Sequence, residues 1–526
     1  MSFSRVSVVI AVVLVGLIAT GPISGDYTAA DKRPSLSHAV SANAASIPAF
    51  PGAEGFGAIA TGGRGGRVLY VTTLAADPNG DITGSLNWAL RQSGPRYILF
   101  KVSGIIHATA QIRASDVTIA GQTSPGGIIV RGLWCDGGHY TTGNSCNNII
   151  VRHIRSRPAT HIDNYTGEDV LEDALRLDAL QRFVIDHCSF ANASDETVQI
   201  SGAMNGTIQN SLFAESVGDN YEYGGMLLNY SHSAHPQDYL SIHHNMWHRL
   251  YGRLPEITCA ADSIWDCSDC QAHSLHLELS NNLIWDPDFL IWYNRYVNDN
   301  ETFGPYRLQM NMVNNYMVAR SDFSYGMMVH DFLEVGDNRL YFAGNRLNLY
   351  PAYSDYQLAY CCNDFSSGGP NSDMGIAIRQ PARLDFAGIT YTPTGQVTNY
   401  VVQNVGAFPR DVMDRRYISS LITGQIDPTP LDRPGANDAF ALNFNPDKPP
   451  APPQDSDSDG MPDYFEQQYG LNPQVADHNG THLSVLFTGV AGYTNLECYL
   501  NWLSEHLVKG VLLPGSRPVY LPLARK

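Results

Sequence analysis

FVIDHCSF (183–190), GTIQNSLF (206–213) and LSIHHNMW (240–247) are three short runs in which apolar and polar residues alternate and an aromatic residue closes the run. A period of two sends successive side chains to opposite faces of a strand. The same rhythm recurs in VTIAGQ, IIVRHI, LELSNNLIW, MNMVNNYM and LYFAGNRL. The corresponding central residues are Ile119, Val151, Ile185, Ile208, Ile242, Leu279, Met312 and Phe342, roughly 23 to 37 residues apart. A unit of that size cannot bury its own apolar face, so successive units must stack. Asparagines in the turns (Asn281, Asn282, Asn314, Asn315, Asn345) tolerate a left-handed bend and can ladder from coil to coil. The pattern predicts an all-β chain built as a right-handed parallel β-helix. A β-sandwich, with turns about every 8–12 residues, fits the spacing less well.

The polar residues of these runs supply the candidate site: Asp186, His187, Asp195, Glu196, His243, His244, Arg249 and Arg253. Stacked in register, carboxylates of one coil would share a surface with an arginine of another. His243 and His244 should point opposite ways, the inner one as a hydrogen-bonded core residue. Asp195 and Glu196, adjacent on a strand, should also diverge. The longer gaps at 218–236 and 259–273 would hold the loops of a binding cleft. Trp292 and Tyr293 read either as packing or as a sugar-stacking platform.

Outside the repeats, SLNWALRQS (85–93) predicts an early helix, and the glycine-rich 50–66 segment lacks the lysine and following helix of a phosphate loop. The first residues, with Arg5 before the apolar stretch 8–19 and a small-residue exit at 20–25, read as a cleaved export signal, too short to span a membrane. Segment 26–46 reads as a flexible leader. A net charge of −18 argues against a nucleic-acid partner, and an anionic ligand would need local arginines or a divalent cation.

Nine cysteines in an exported chain imply disulfides. Cys135 with Cys146 would close a short loop, Cys259, Cys267 and Cys270 cluster, and Cys188 reads as a buried thiol. A zinc site from that cluster lacks a fourth ligand. N-x-[ST] sequons stand at Asn164, Asn192, Asn205, Asn229, Asn300 and Asn479.

The β-helix is expected over 47–445, followed by a proline-rich linker at 446–454. The next stretch, DSDSDGMPDYFE (455–466), has the spacing of a twelve-residue calcium loop. Asp455, Asp457 and Asp459 stand at positions one, three and five, the Met461 carbonyl at seven, Asp463 at nine and Glu466 at twelve. This calcium module should extend over 455–510, with 511–526 as a tail. The stretch from Phe487 to Cys498 has the rhythm of a second loop without its acids.

Four segments, FPGAEGFGA…TGGRGG, GSLNWAL…GP…VSG, DAL…VIDHCSF…SDE and IHHN…GRLPE, resemble the pectate lyase superfamily, polysaccharide lyase family 1. The C-terminal stretch resembles calcium modules appended to secreted members. The resemblance implies calcium-assisted β-elimination on an acidic, plant-type uronate polysaccharide, by a secreted and monomeric enzyme free of the membrane once its signal is removed. It carries Arg253 over as catalytic arginine, and Asp186, Asp195, Glu196 and Asp173 as calcium ligands. His235, Arg249 and His244 are expected to help bind substrate. The chain departs from the family pattern at Gln199, where a further acid is usual, and at Glu256 and Thr258, where cations are usual. It also lacks a lysine in 216–223, all of which lowers the charge offered to a polyuronate. The rival readings are a glycoside hydrolase on the same solenoid and a non-catalytic carbohydrate-binding protein. An unsaturated product separates the first reading from both.

Overall fold

The computed structural model describes residues 47–136, 146–158, 161–162, 169–170, 172–216, 224–260, 270, 274–293, 307–330, 338–361, 378–426 and 450–511. Segments 1–46 and 512–526, Asn164, Asn300, Cys267, Cys362 and the start of the linker lie outside them.

Three long parallel sheets wind into a right-handed β-helix. The first has ten strands, from Arg67–Val71 to Arg339–Ala343. The second runs from Gly104–Ile106 to Arg346–Leu347 and the third from Ala110–Gln111 to Ala359–Cys361, with nine strands each. All eight repeat centres fall in one continuous register, Ile119 on Val151 and so on to Met312 on Phe342. Two earlier rungs extend it, with Ile119 above Ile98 and Ile98 above Leu69.

Stacking identical turns repeats their side chains. Asn245, Asn282, Asn315 and Asn345 form a buried ladder, each side-chain NH2 donating both to the next asparagine's or Asp355's oxygen and to a backbone carbonyl of the preceding coil. Their predecessors His244, Asn281 and Asn314 take the left-handed conformation, with φ near 55°. Inside the second sheet Phe190 stacks on Phe213, which meets Trp247 edge to face.

Two of the three outer faces are covered. Across the first sheet runs the glycine-rich segment, whose backbone N–H groups are received rung by rung: Gly63 by Thr118, Gly62 by Asn148, Gly57 by Thr207 and Phe56 by Ser241. Its glycines thus serve close backbone packing. The helix Leu86–Arg91, capped by Ser85, lies beside it in the chain. Over the second sheet pack the helices Thr394–Asn404 and Val412–Thr423, which bury Val401, Met413 and Tyr417 against Leu212, Met246 and Trp285.

Disulfides join Cys135 to Cys146 and Cys259 to Cys270, the latter removing two thiolates from any zinc site. Cys188 is a buried thiol, its pKa pushed up to about 12 by burial. Asn192 and Asn229 are buried, so a glycan on either is incompatible with this fold, whereas Asn479 is exposed. No helix of the described residues is long and apolar enough to cross a membrane.

Candidate active site on the third sheet

Along the third sheet, Trp134, Arg176, Gln199, Leu227, Glu256 and Trp292 are successive register partners, one per coil. Their strand neighbours Leu175, Val198, Met226, Ile257 and Ile291 fill the core.

At the edge where the chain enters the sheet, Asp173, Asp195 and Glu196 bring carboxylate oxygens within 4.8 Å of one another. Asp195 occupies the bend just before strand Glu196–Ser201, so the expected divergence of two adjacent acids does not occur. The Glu196 backbone N–H donates to Asp173 Oδ1 at 3.1 Å, tying the two coils together. Burial raises the pKa of Asp173 and of Asp195, opposed by Arg176 and Arg253. Arg176 Nε lies 2.8 Å from Asp173, and the same guanidinium reaches Gln199 at 3.4 Å.

Arg253 meets this group from two coils away. Its Nη1 contacts Glu196 Oε1, and its Nε lies 2.8 Å from Glu256. The reach is made possible by the intervening rung. Glu196 pairs with Gly224, and Gly224 bridges to Gly252, so no side chain stands between. A Cβ on Gly225 would lie 1.9 Å from the Arg253 carbonyl, so only glycine lets the rungs approach this closely. Gly225 is a site residue that sequence reasoning passed over. Its signal was the Gly224-Gly225 pair opening a strand, where glycine marks close backbone approach.

Other expected residues lie elsewhere. Asp186 is on the outer face of the first sheet, fully buried, with Arg152 Nε and His187 Nδ1 each 2.8 Å from Oδ2. Its other oxygen accepts from Gln209 and Asn210. With both oxygens engaged under a covered face, it is a structural acid, apart from the group around Arg253. Arg249 is likewise buried, set between Glu215 and Asp286. His235 sits in the turn that leads from the third sheet to the first.

His244 is buried against Tyr400 and hydrogen-bonds Thr392 and His243, so it cannot contact substrate. Burial lowers its pKa from 6.5 to about 4. The unfolded chain therefore takes up the proton first as pH falls. His244 contributes stability above pH 6.5 that is lost progressively toward pH 4, at up to about 1.4 kcal/mol per pH unit. In denaturant titrations, His244→Gln should shrink the loss between pH 6.5 and 4.5 by roughly 2 kcal/mol. An unchanged pH dependence would refute the burial argument.

A second acid group lies in the C-terminal loop. Asp455, Asp457 and Asp459 form one triad, and Asp459, Glu466 and Asp477 another. Asp463 is absent from both. Its two oxygens accept from the Ser456 backbone N–H and hydroxyl, each at 2.8 Å, closing the loop on itself. Cys498 is buried in the apolar cluster around Phe465.

A parallel β-helix that brings together a carboxylate triad and an arginine delivered through a glycine gap defines a solenoid protein with an acidic site on one sheet. The chain is 29% identical over 467 residues to the probable pectate lyase C of Aspergillus fumigatus, covering 86% of this chain and 93% of the relative. It is 28% identical over 478 residues to that of Aspergillus terreus, covering 89% and 95%. These likenesses support the pectate lyase superfamily. Among solved structures, the cedar pollen allergen jun a 1 matches at 16% identity and a TM-score of 0.42, over 68% of this chain and 92% of that one. Pectate lyase Bsp165PelA of Bacillus sp. N165, in complex with trigalacturonate, matches at 16% and 0.39, over 68% and 99%. The fold assignment itself rests on the strand pairing above. No family model matches.

Proposed function

We propose that the chain is a secreted polysaccharide lyase that cleaves a uronate polymer, pectate or pectin-like, by calcium-assisted β-elimination with Arg253 as base. The observation that supports this most directly is the convergence of Arg253, from two coils away, on the Asp173, Asp195 and Glu196 carboxylates.

Three carboxylates grouped this closely fit a hard divalent cation with oxygen ligands. Asp173, Asp195 and Glu196 would hold it, and a bound calcium would draw electron density from the substrate's C6 carboxylate and so acidify C5. Glu196 is shared between the acid group and Arg253. When it turns toward the acid group, the guanidinium is freed toward the cleft, while Glu256 still fixes its plane through Nε. Arg253 then takes the C5 proton, the C4=C5 double bond forms as the C4–O bond breaks, the departing oxygen takes a proton from water, and an unsaturated uronate end remains. The export signal supplies the secreted location.

The reaction is tested by absorbance of the unsaturated product on polygalacturonate and on pectin, with calcium and with chelator. Reducing ends formed without that chromophore would overturn the reading, as would no turnover on either polymer.

Arg176 competes for Asp173 with any cation there. Arg176→Gln should therefore lower the calcium needed for half-maximal activity about tenfold, the equivalent of 1.4 kcal/mol. An unchanged calcium requirement would show that the guanidinium does not compete.

A further inference from the structure

We propose that the C-terminal acid group is a calcium site whose ion staples the segment 455–510 onto the first coils of the β-helix, with Asp477 as a ligand from outside the twelve-residue loop. The two triads share Asp459, so five carboxylates (Asp455, Asp457, Asp459, Glu466 and Asp477) converge on one small volume. The telling member is Glu466. It is 0% exposed, and neither of its carboxylate oxygens has a hydrogen-bond partner. Asp457 Oδ2 is likewise buried and unpartnered. An isolated buried carboxylate is costly, and one with no donor and no cation beside it calls for a positive charge in the space it faces. Oxygen-only ligands at this density suit Ca²⁺.

Asp477 is eleven residues beyond Glu466, past the end of the loop motif. Its backbone N–H donates to Asp459 Oδ2 at 2.9 Å, and Asn495 Nδ2 holds its Oδ1 at 3.2 Å. It thus takes the place left by Asp463, whose oxygens are spent on Ser456.

The loop is also part of a joint. The Tyr70 hydroxyl, from the first strand of the β-helix, donates to Asp455 Oδ2. Gly460, with φ at 102°, lies so close to the first two strands that a Cβ would stand 2.8 Å from Leu99 and 3.3 Å from Val68. Met461 and Phe465 share one apolar cluster with Tyr97, Leu99 and Ala120. Around it, Arg64 pairs with Glu497 at 2.8 Å, and His478 and Asn479 both donate to the Gly66 carbonyl at 3.1 Å. Repulsion among five carboxylates without an ion would act directly on these contacts.

The test uses the full chain carrying Asp195→Asn, which disables the carboxylate triad beside Arg253 and leaves the C-terminal site as the calcium responder. After chelator treatment, calcium is titrated by calorimetry, and hydrogen exchange is followed in strands Arg67–Val71 and Arg96–Phe100. One calcium should bind, the melting temperature should rise by several degrees, and exchange in both strands should slow at least tenfold. Asp477→Asn should weaken binding at least tenfold, and Glu466→Gln should abolish it. The proposal fails if no calcium binds, if Asp477→Asn titrates like its parent, or if protection changes only within 455–480. None of these readouts depends on lyase activity, so failure here is distinct from failure of the proposed reaction.

Discussion

Arg253→Lys should lower kcat at least about 10³-fold on a uronate polymer while leaving KM within a few-fold and the melting temperature nearly unchanged. A positioned general base contributes roughly 10²–10⁴-fold. Lysine is the informative replacement because it keeps a cation beside Glu196, which is only 2% exposed and would be costly to leave unpaired. Lysine cannot reproduce the planar fork that lets Arg253 touch Glu196 and Glu256 together. The proton acceptor would therefore be displaced while the charge stays. Steady-state kinetics with the ultraviolet-absorbing product, alongside thermal melts, check both halves. Turnover within tenfold of the parent would show that another group takes the C5 proton.

The repeat was legible because stacking forces chemical likeness on equivalent positions, so eight centres from Ile119 to Phe342 could be aligned by eye and fall in register. The two earlier rungs, at Leu69 and Ile98, were less visible because their strands RVLYV and RYILF follow glycine- and proline-bearing turns and carry no asparagine. Of the site, Asp173, Asp195, Glu196 and Arg253 were readable as acids and an arginine near strand starts. What separates Asp186 from them was not. A coil of three sheets offers three outer faces, and a local pattern says that a side chain points outward without saying which face it joins or what later covers it. Asp186 and His244 face outward on the first sheet, yet residues from 48–63 and 378–409 close over it. Gly225 acts through the Arg253 carbonyl in the next coil, and Asp477 through a loop that had already seemed complete. In each case the deciding contact is long-range.

A larger stability effect is expected far from the cleft, where the helix Val412–Thr423 is pinned to the second sheet. Arg155, Arg157, Asp411 and Asp414 are all 0% exposed in their side chains and form one ion cluster. Arg157 reaches Asp411 at 2.6 Å and Asp414 at 3.0 Å, Arg155 lies 3.3 Å from each acid, and Ser189 donates to Asp414 at 3.0 Å. Two cations balance two anions, so the desolvation of each is offset only while all four remain. Asp411→Ala leaves a guanidinium buried without its balance, at a cost of roughly 3–5 kcal/mol. It also removes the helix cap, since Asp411 accepts from the Asp414 backbone N–H, which adds about 1 kcal/mol. Denaturant unfolding should show that full loss. The double replacement Asp411→Leu with Arg157→Met should recover part of it, because it removes one charge of each sign and fills the space. Both chains should retain the parent's kcat at temperatures where they stay folded, since the cluster sits beneath the second sheet and Arg253 works on the third. A loss under about 1 kcal/mol for Asp411→Ala would mean that water already reaches the cluster and that the helix is held by its apolar face, Met413, Tyr417 and Leu421, alone.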